Sequence, residues 1–233
     1  PYSVPMNIAL LGPTGSGKGT LISALAPKLN LHPITLGDVL RQKATYGTAL
    51  GLLTREYVQN GELVPDEFVD AMVEEILRHL PPGVSTILDG FPRTVTQARF
   101  LDDLLAELGQ KLDAAVYLHA PDHVIFDRAS QRQPPRHDDE PHILRHRLHV
   151  FRRMVTPVLK HFYEAGRLVL VRADAPVHEV EITLKGILEG IRIGKHPAFT
   201  DDDFAFLDQF LKARPATRLE TEPALNFVLL GGP

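Results

Sequence analysis

Within its first thirty residues the chain writes MNIALL, then GPTGSGKGT, then a run carrying Leu21, Leu25 and Leu29 at four-residue spacing. A short apolar strand, a glycine-rich loop and an amphipathic helix in that order leave few folds open. Glycines at 12, 15, 17 and 19 let backbone N–H groups turn inward, and the helix start that follows adds the positive end of its dipole. Gly12, Gly17 and Lys18 satisfy the G-x-x-x-x-G-K part of the phosphate-loop pattern, but the hydroxyl that usually follows the lysine is displaced by one place, to Thr20. The bland reading, a glycine turn without a ligand, has to explain why a lysine sits at its end.

The remaining apolar runs, STILDG, AAVYLHAP and RLVLVRAD, each end at a turn signal. Amphipathic helical segments are expected at roughly 66–80, 93–108, 121–131, 141–164 and 176–192. Strands alternating with helices predict an α/β fold: a three-layer, doubly wound parallel sheet of five strands with helices on both faces. Ligands of such sheets sit beyond the carboxyl ends of the strands. Residues 37–64 break the rhythm and read as a helical insertion; the proline-rich QRQPPRHDDEP reads as another. With 233 residues, 44% of them hydrophobic, the chain suits one large domain with small insertions, and its net charge of −4 exerts no general pull on nucleic acid or anionic membranes. The absence of cysteine excludes disulfides, a thiolate zinc site and a cysteine nucleophile. No apolar stretch approaches the ~18 residues of a membrane span, and a cytoplasmic enzyme is expected.

Three further constellations carry chemistry. STILD delivers Asp89 to the carboxyl edge of the sheet, where a carboxylate can hold magnesium through its water shell or, alternatively, cap a helix. Arg93 follows directly. Residues 128–153 hold seven arginines and no lysine, against the acids Asp138, Asp139 and Glu140. The planar guanidinium grips phosphate through two bonds, so a consistent choice of arginine over lysine points to oriented phosphate contacts. Some of the seven should simply solvate a helix face: the apolar stripe Leu144, Leu148, Phe151, Val155, Leu159, Phe162 has Arg147 on one flank and Arg145 and Arg152 on the other, while Arg153 points away. His142, His146 and His149 share helical spacing, but no zinc motif accompanies them, and no zinc is expected.

In these elements the chain resembles adenylate kinases from about Met6 to Ile193. GPTGSGKGT is similar to that family's phosphate loop, shifted Thr20 included, and GDVLR (37–41), GELVPDE (61–67), LDGFPRTVTQA (88–98), DRASQR (127–132) and RHDDEPHILRHR (136–147) look like its other signatures in the same sequence. The resemblance implies a domain over 1–195, a monophosphate-binding insertion over about 35–65 and a short lid over about 131–141. It implies reversible phosphoryl transfer from MgATP to AMP. ATP would meet Gly15, Ser16, Gly17, Lys18, Gly19, Thr20, Arg128 and Arg132. AMP would meet Leu36, Arg41, Glu62, Leu63, Val64, Gly90, Phe91, Pro92, Arg93, Gln97, Arg136 and Arg147. Catalysis would fall to Lys18, Arg93, Arg128, Arg136 and Arg147, with Mg2+ held by ATP phosphates and water near Thr20 and Asp89. Gln97 matches the adenine-reading glutamine, where pyrimidine kinases typically have Asn; Leu36 stands where adenylate kinases often have Thr. A UMP/CMP kinase and a non-catalytic adenine-nucleotide sensor are the alternatives, the latter disfavoured because no lysine or arginine of the pattern is lost. The expected partners are ATP and AMP, with neither nucleic acid nor membrane, and the protein is expected to be a monomer.

The last forty residues lie beyond that resemblance. TDDDFAFLDQFLKAR, with a capping threonine followed by three acids, predicts one more helix in a connector over 196–224. LNFVLLGGP at 225–233 repeats MNIALLGPT with small changes. Two readings are open: an extra edge strand with a glycine tail, or the truncated start of a second phosphate-loop domain in tandem.

Overall fold

The computed structural model describes residues 5–45, 57, 64–133 and 140–212, for 41, 43–45 and 209–212 the backbone alone. Five parallel strands, β1 (Asn7–Leu11), β2 (Leu31–Thr35), β3 (Ser85–Asp89), β4 (Ala114–His119) and β5 (Leu168–Arg172), lie in the order β2-β3-β1-β4-β5. The helices are α1 (Lys18–Leu29), α2 (Leu36–Thr45), α3 (Asp66–His79), α4 (Val95–Glu107), α5 (Asp122–Ser130), α6 (Pro141–Glu164), α7 (Val177–Arg192) and α8 (Asp201–Lys212).

The near-continuous apolar strands follow from burial on both faces. Ile8 and Leu10, Val116 and Leu118, and Val169 and Val171 share one core cluster with the apolar stripes of α1 and α7. The alternate residues Ala9, Leu88, Ala115 and Tyr117 are buried outside that cluster, on the face where α6 packs against β4, β5 and α4. The three-layer doubly wound expectation holds. Buried Asn7 is fully engaged: its amide nitrogen donates to Gln110 Oε1 and the Lys111 carbonyl, and its Oδ1 accepts from Thr86 Oγ1 at 2.8 Å.

One strand escapes the apolar-run reading. β2 spells LHPIT, with His32 and Pro33 exposed, because it is the edge strand and pairs only with β3. A proline lacks the ladder donor and is tolerated at an edge. The sheet register sets the site: Asp89 lies opposite both Leu10 of β1 and Thr35 of β2, so the phosphate loop, Asp89 and the start of α2 emerge side by side at the carboxyl edge.

The chain divides into two compact units, Pro1–Phe199 and Thr200–Pro233. In the second, Thr200 caps α8 as its sequence predicts: Thr200 Oγ1 accepts from Asp203 N at 3.2 Å, and the Asp203 carboxylate accepts from Thr200 N at 2.8 Å. The repeat at 225–233, most of the expected insertion (46–56 and 58–63) and the centre of the expected lid (134–139) lie outside the described residues.

Candidate active site

The loop between β1 and α1 is shaped by steric necessity. A Cβ on Gly12 would lie 2.9 Å from Ser16 Oγ and 3.0 Å from the Leu118 carbonyl; one on Gly15, at φ +80°, would lie 2.8 Å from Ile125 Cγ2. Gly17 caps α1 in the left-handed conformation without any side-chain bond, so the helix start keeps its amide groups for an external anion. Ser16 Oγ is buried and has no hydrogen-bond partner among the described residues. An orphan hydroxyl at the mouth of a helix fits a site built for phosphate oxygens.

Beyond the loop opens a cleft of about 1150 Å3, larger than the ~300–1,000 Å3 of an ordinary small-molecule pocket and roomy enough for two ligands. Lys18, Arg93, Arg132 and Arg147 line it, with the carboxylates Asp38 and Asp89. Lys18 Nζ donates to the carbonyls of Gly12 and Pro13 at 2.7 and 2.9 Å and lies 3.9 Å from Asp89 Oδ1. Burial, above all, lowers its pKa to about 8; Asp89 opposes the fall, and the charges of Arg93, Arg147 and Arg132 add to it. Three arginines far apart in sequence therefore act electrostatically on one ammonium.

Arg128 sits differently, donating to the Ser16 carbonyl at 3.1 Å and the Ala175 carbonyl at 3.4 Å. It braces the phosphate loop against the turn after β5. On α6 the helical wheel left both flanks open, and packing separates them. Arg147 enters the cleft, Arg145 stacks over Phe126 at 5.6 Å, Arg152 pairs with Asp122, and Arg153 is exposed. His142, His146 and His149 are exposed, and among the described residues no three His, Asp or Glu side chains gather as metal ligands.

The second wall of the cleft runs through Gly90, Pro92 and Val64. Arg93 Nε donates to the Gly90 carbonyl at 2.9 Å. Phe91 and Leu36 are buried, and Gln97 is 2% exposed with both ends of its amide engaged inside the protein. Gly19 and Thr20 are exposed at the cleft. Glu62, Leu63, Arg136 and the Arg41 side chain lie outside the described residues. Three residues that the signatures contain without an assigned role also matter: Asp38 faces the cleft, and Asp66 and Thr94 hold Gln97. Beyond its place in GELVPDE, Asp66 carries in sequence the signal of a helix start, being an acid in the first turn after Pro65.

A parallel sheet in this order, with a phosphate loop after its central strand and a lysine and three arginines lining the cleft at its carboxyl edge, defines a phosphate-loop nucleotide phosphotransferase. The adenylate kinase family model matches residues 10–167. The adenylate kinase of Thermobifida fusca is 38% identical over 177 residues, 75% of this chain and 94% of that protein. Adenylate kinase 1 of a Nostoc species is 40% identical over 181 residues (78% and 97%), and the adenylate kinase of a Synechococcus species is 41% identical over 189 (79% and 97%). The chain belongs to the adenylate kinase family.

Proposed function

We propose that this chain, as a member of that family, transfers the γ-phosphoryl group of ATP to AMP, giving two ADP, and runs the reverse reaction. The observation that carries this reading is the convergence of Lys18, Arg93, Arg132 and Arg147 on one cleft. Bringing two polyanionic nucleotides into line is the main obstacle to direct transfer, since the chemistry needs little covalent help. In the step itself an AMP phosphate oxygen bonds to the γ-phosphorus while the bond to the β–γ bridging oxygen breaks, leaving ADP on each side. Lys18 is placed for the β- and γ-phosphates of ATP. Arg132 and Arg147 flank the path of the migrating group, Arg128 keeps the loop in shape, and Arg93 faces the AMP phosphate. Arg41 and Arg136 join the set by motif resemblance.

Adenylate kinases use Mg2+ with ATP, and the donor set here fits it: a hard carboxylate at Asp89 and the Thr20 hydroxyl beside the phosphate loop. The ion would supply neutralisation of the charge that develops on the phosphate oxygens. A monomer and the family's usual cytoplasmic setting complete the reading. Gln97 favours AMP over UMP and CMP, and Leu36, buried and without a hydroxyl, leaves that wall of the monophosphate pocket apolar. A coupled assay for ADP formed from ATP with AMP, CMP, UMP or GMP tests the whole. AMP should be the preferred acceptor, and no turnover with any of the four would refute the reading.

A further inference from the structure

Gln97 is held by a closed ring of hydrogen bonds. Its Oε1 accepts from Arg93 N at 2.7 Å; its Nε2 donates to Asp66 Oδ1 at 2.9 Å. Asp66 Oδ2 accepts from Thr94 Oγ1 at 2.6 Å, and that same hydroxyl, the N-cap of α4, accepts from Gln97 N at 3.1 Å. The two anchors differ in kind: a backbone N–H can only donate, and a carboxylate can only accept. The glutamine oxygen must therefore face Arg93 and its nitrogen must face Asp66. Turning the amide over would set N–H against N–H at one end and oxygen against carboxylate at the other.

Among the described residues each end of the amide still has one unused valence, a lone pair on Oε1 and a hydrogen on Nε2. Asp66, Gln97 and Arg93 share a small recess with Leu36, Val64 and Gly90. A base edge with a donating amino group beside an accepting ring nitrogen, as in adenine, satisfies that pair. An edge with a keto oxygen beside a ring N–H, as in hypoxanthine or guanine, needs the opposite amide orientation. We propose that Asp66 is a specificity-determining positioning residue, which fixes the polarity of the Gln97 amide and so selects amino over keto purine edges in the acceptor nucleotide. This rests on the reading that Gln97 faces the acceptor base.

Inosine monophosphate is the sharpest probe, because it differs from AMP only at that edge. Assays belong near pH 7.5, above the value of about 6 to which burial and the charge of Asp66 raise neighbouring Asp70. In Asp66→Asn the new amide can present either an oxygen or an N–H to Gln97, so one of the two anchors is released. The ratio of kcat/KM for AMP to that for inosine monophosphate should fall at least tenfold, the inosine value rising in absolute terms. Each unpaired buried polar group removed from the flipped state is worth about tenfold. Loss of a merely structural contact would lower both values together and leave the ratio unchanged, and that result overturns the proposal. Asp66→Ser should move the ratio the same way and stands in if the asparagine variant does not fold. Gln97→Leu separates the two layers of argument. If it leaves the ratio intact, Gln97 does not read the base and the underlying reading fails. If it collapses the ratio while both Asp66 variants keep it, Gln97 reads the base but Asp66 does not set its polarity.

Discussion

Lys18 carries the most direct consequence of the site's electrostatics. Its ordinary pKa of ~10.4 falls to about 8, and a change of that size corresponds to about 3 kcal/mol of disfavour for the charged form, from burial first and then from three arginines. Phosphate binding needs the ammonium. The free enzyme's competence to bind ATP should therefore decline as pH rises through about 8: roughly nine-tenths of the molecules are competent at pH 7 and one-tenth at pH 9. Measured with subsaturating ATP and saturating AMP, kcat/KM should fall about tenfold between pH 7 and 9. In the ternary complex the polyphosphate lies beside Nζ and restores the charged form, so kcat should hold to a higher pH than kcat/KM. In Lys18→Arg, whose charge does not titrate in this range, the residual activity should lack the limb near pH 8. A kcat/KM that stays flat from pH 7 to 9.5 in the unaltered enzyme would refute this account of Lys18.

Arg93→Ala should cost at least ~100-fold in kcat/KM, because the proposed function sets this cleft-lining guanidinium against phosphate charge that shifts in the transition state, whereas Arg153→Ala, an exposed site on α6, should be nearly silent in the same assay. Gly15→Ala should raise the KM for ATP and lower the melting temperature, since its φ of +80° and a Cβ 2.8 Å from Ile125 Cγ2 force the phosphate loop to shift. A melting curve and an ATP titration check both effects. A chain ending at Phe199 should keep activity within a few-fold, because every cleft residue named above lies in the first compact unit; a large loss would tie the second unit to catalysis.

Much of the molecule was legible from local chemistry alone. The phosphate loop declares itself because glycine is the only residue that fits two of its positions, and a nearly continuous apolar strand must be covered on both faces. Helix α6 falls on Pro141–Glu164, the expected span, because its stripe keeps the 3.6-residue period throughout. Other features depended on neighbours distant in sequence. β2 is polar and holds a proline, and only its edge position makes that acceptable. The wheel of α6 placed Arg145, Arg147 and Arg152 beside the same stripe, and it took Phe126 and Asp122 on α5 to claim two of them and leave Arg147 to the cleft. Gln97 could be read from sequence as an amide with a donor and an acceptor, but not with a direction. Asp66, 31 residues away, supplies one, because an amide's two ends become distinguishable only when a pure acceptor and a pure donor are packed against them. Residue types and their spacing determined which chemistry this protein carries; the tertiary packing decided which copies of each residue perform it, since hydrogen bonds and charges act through distances that the order of the chain does not encode.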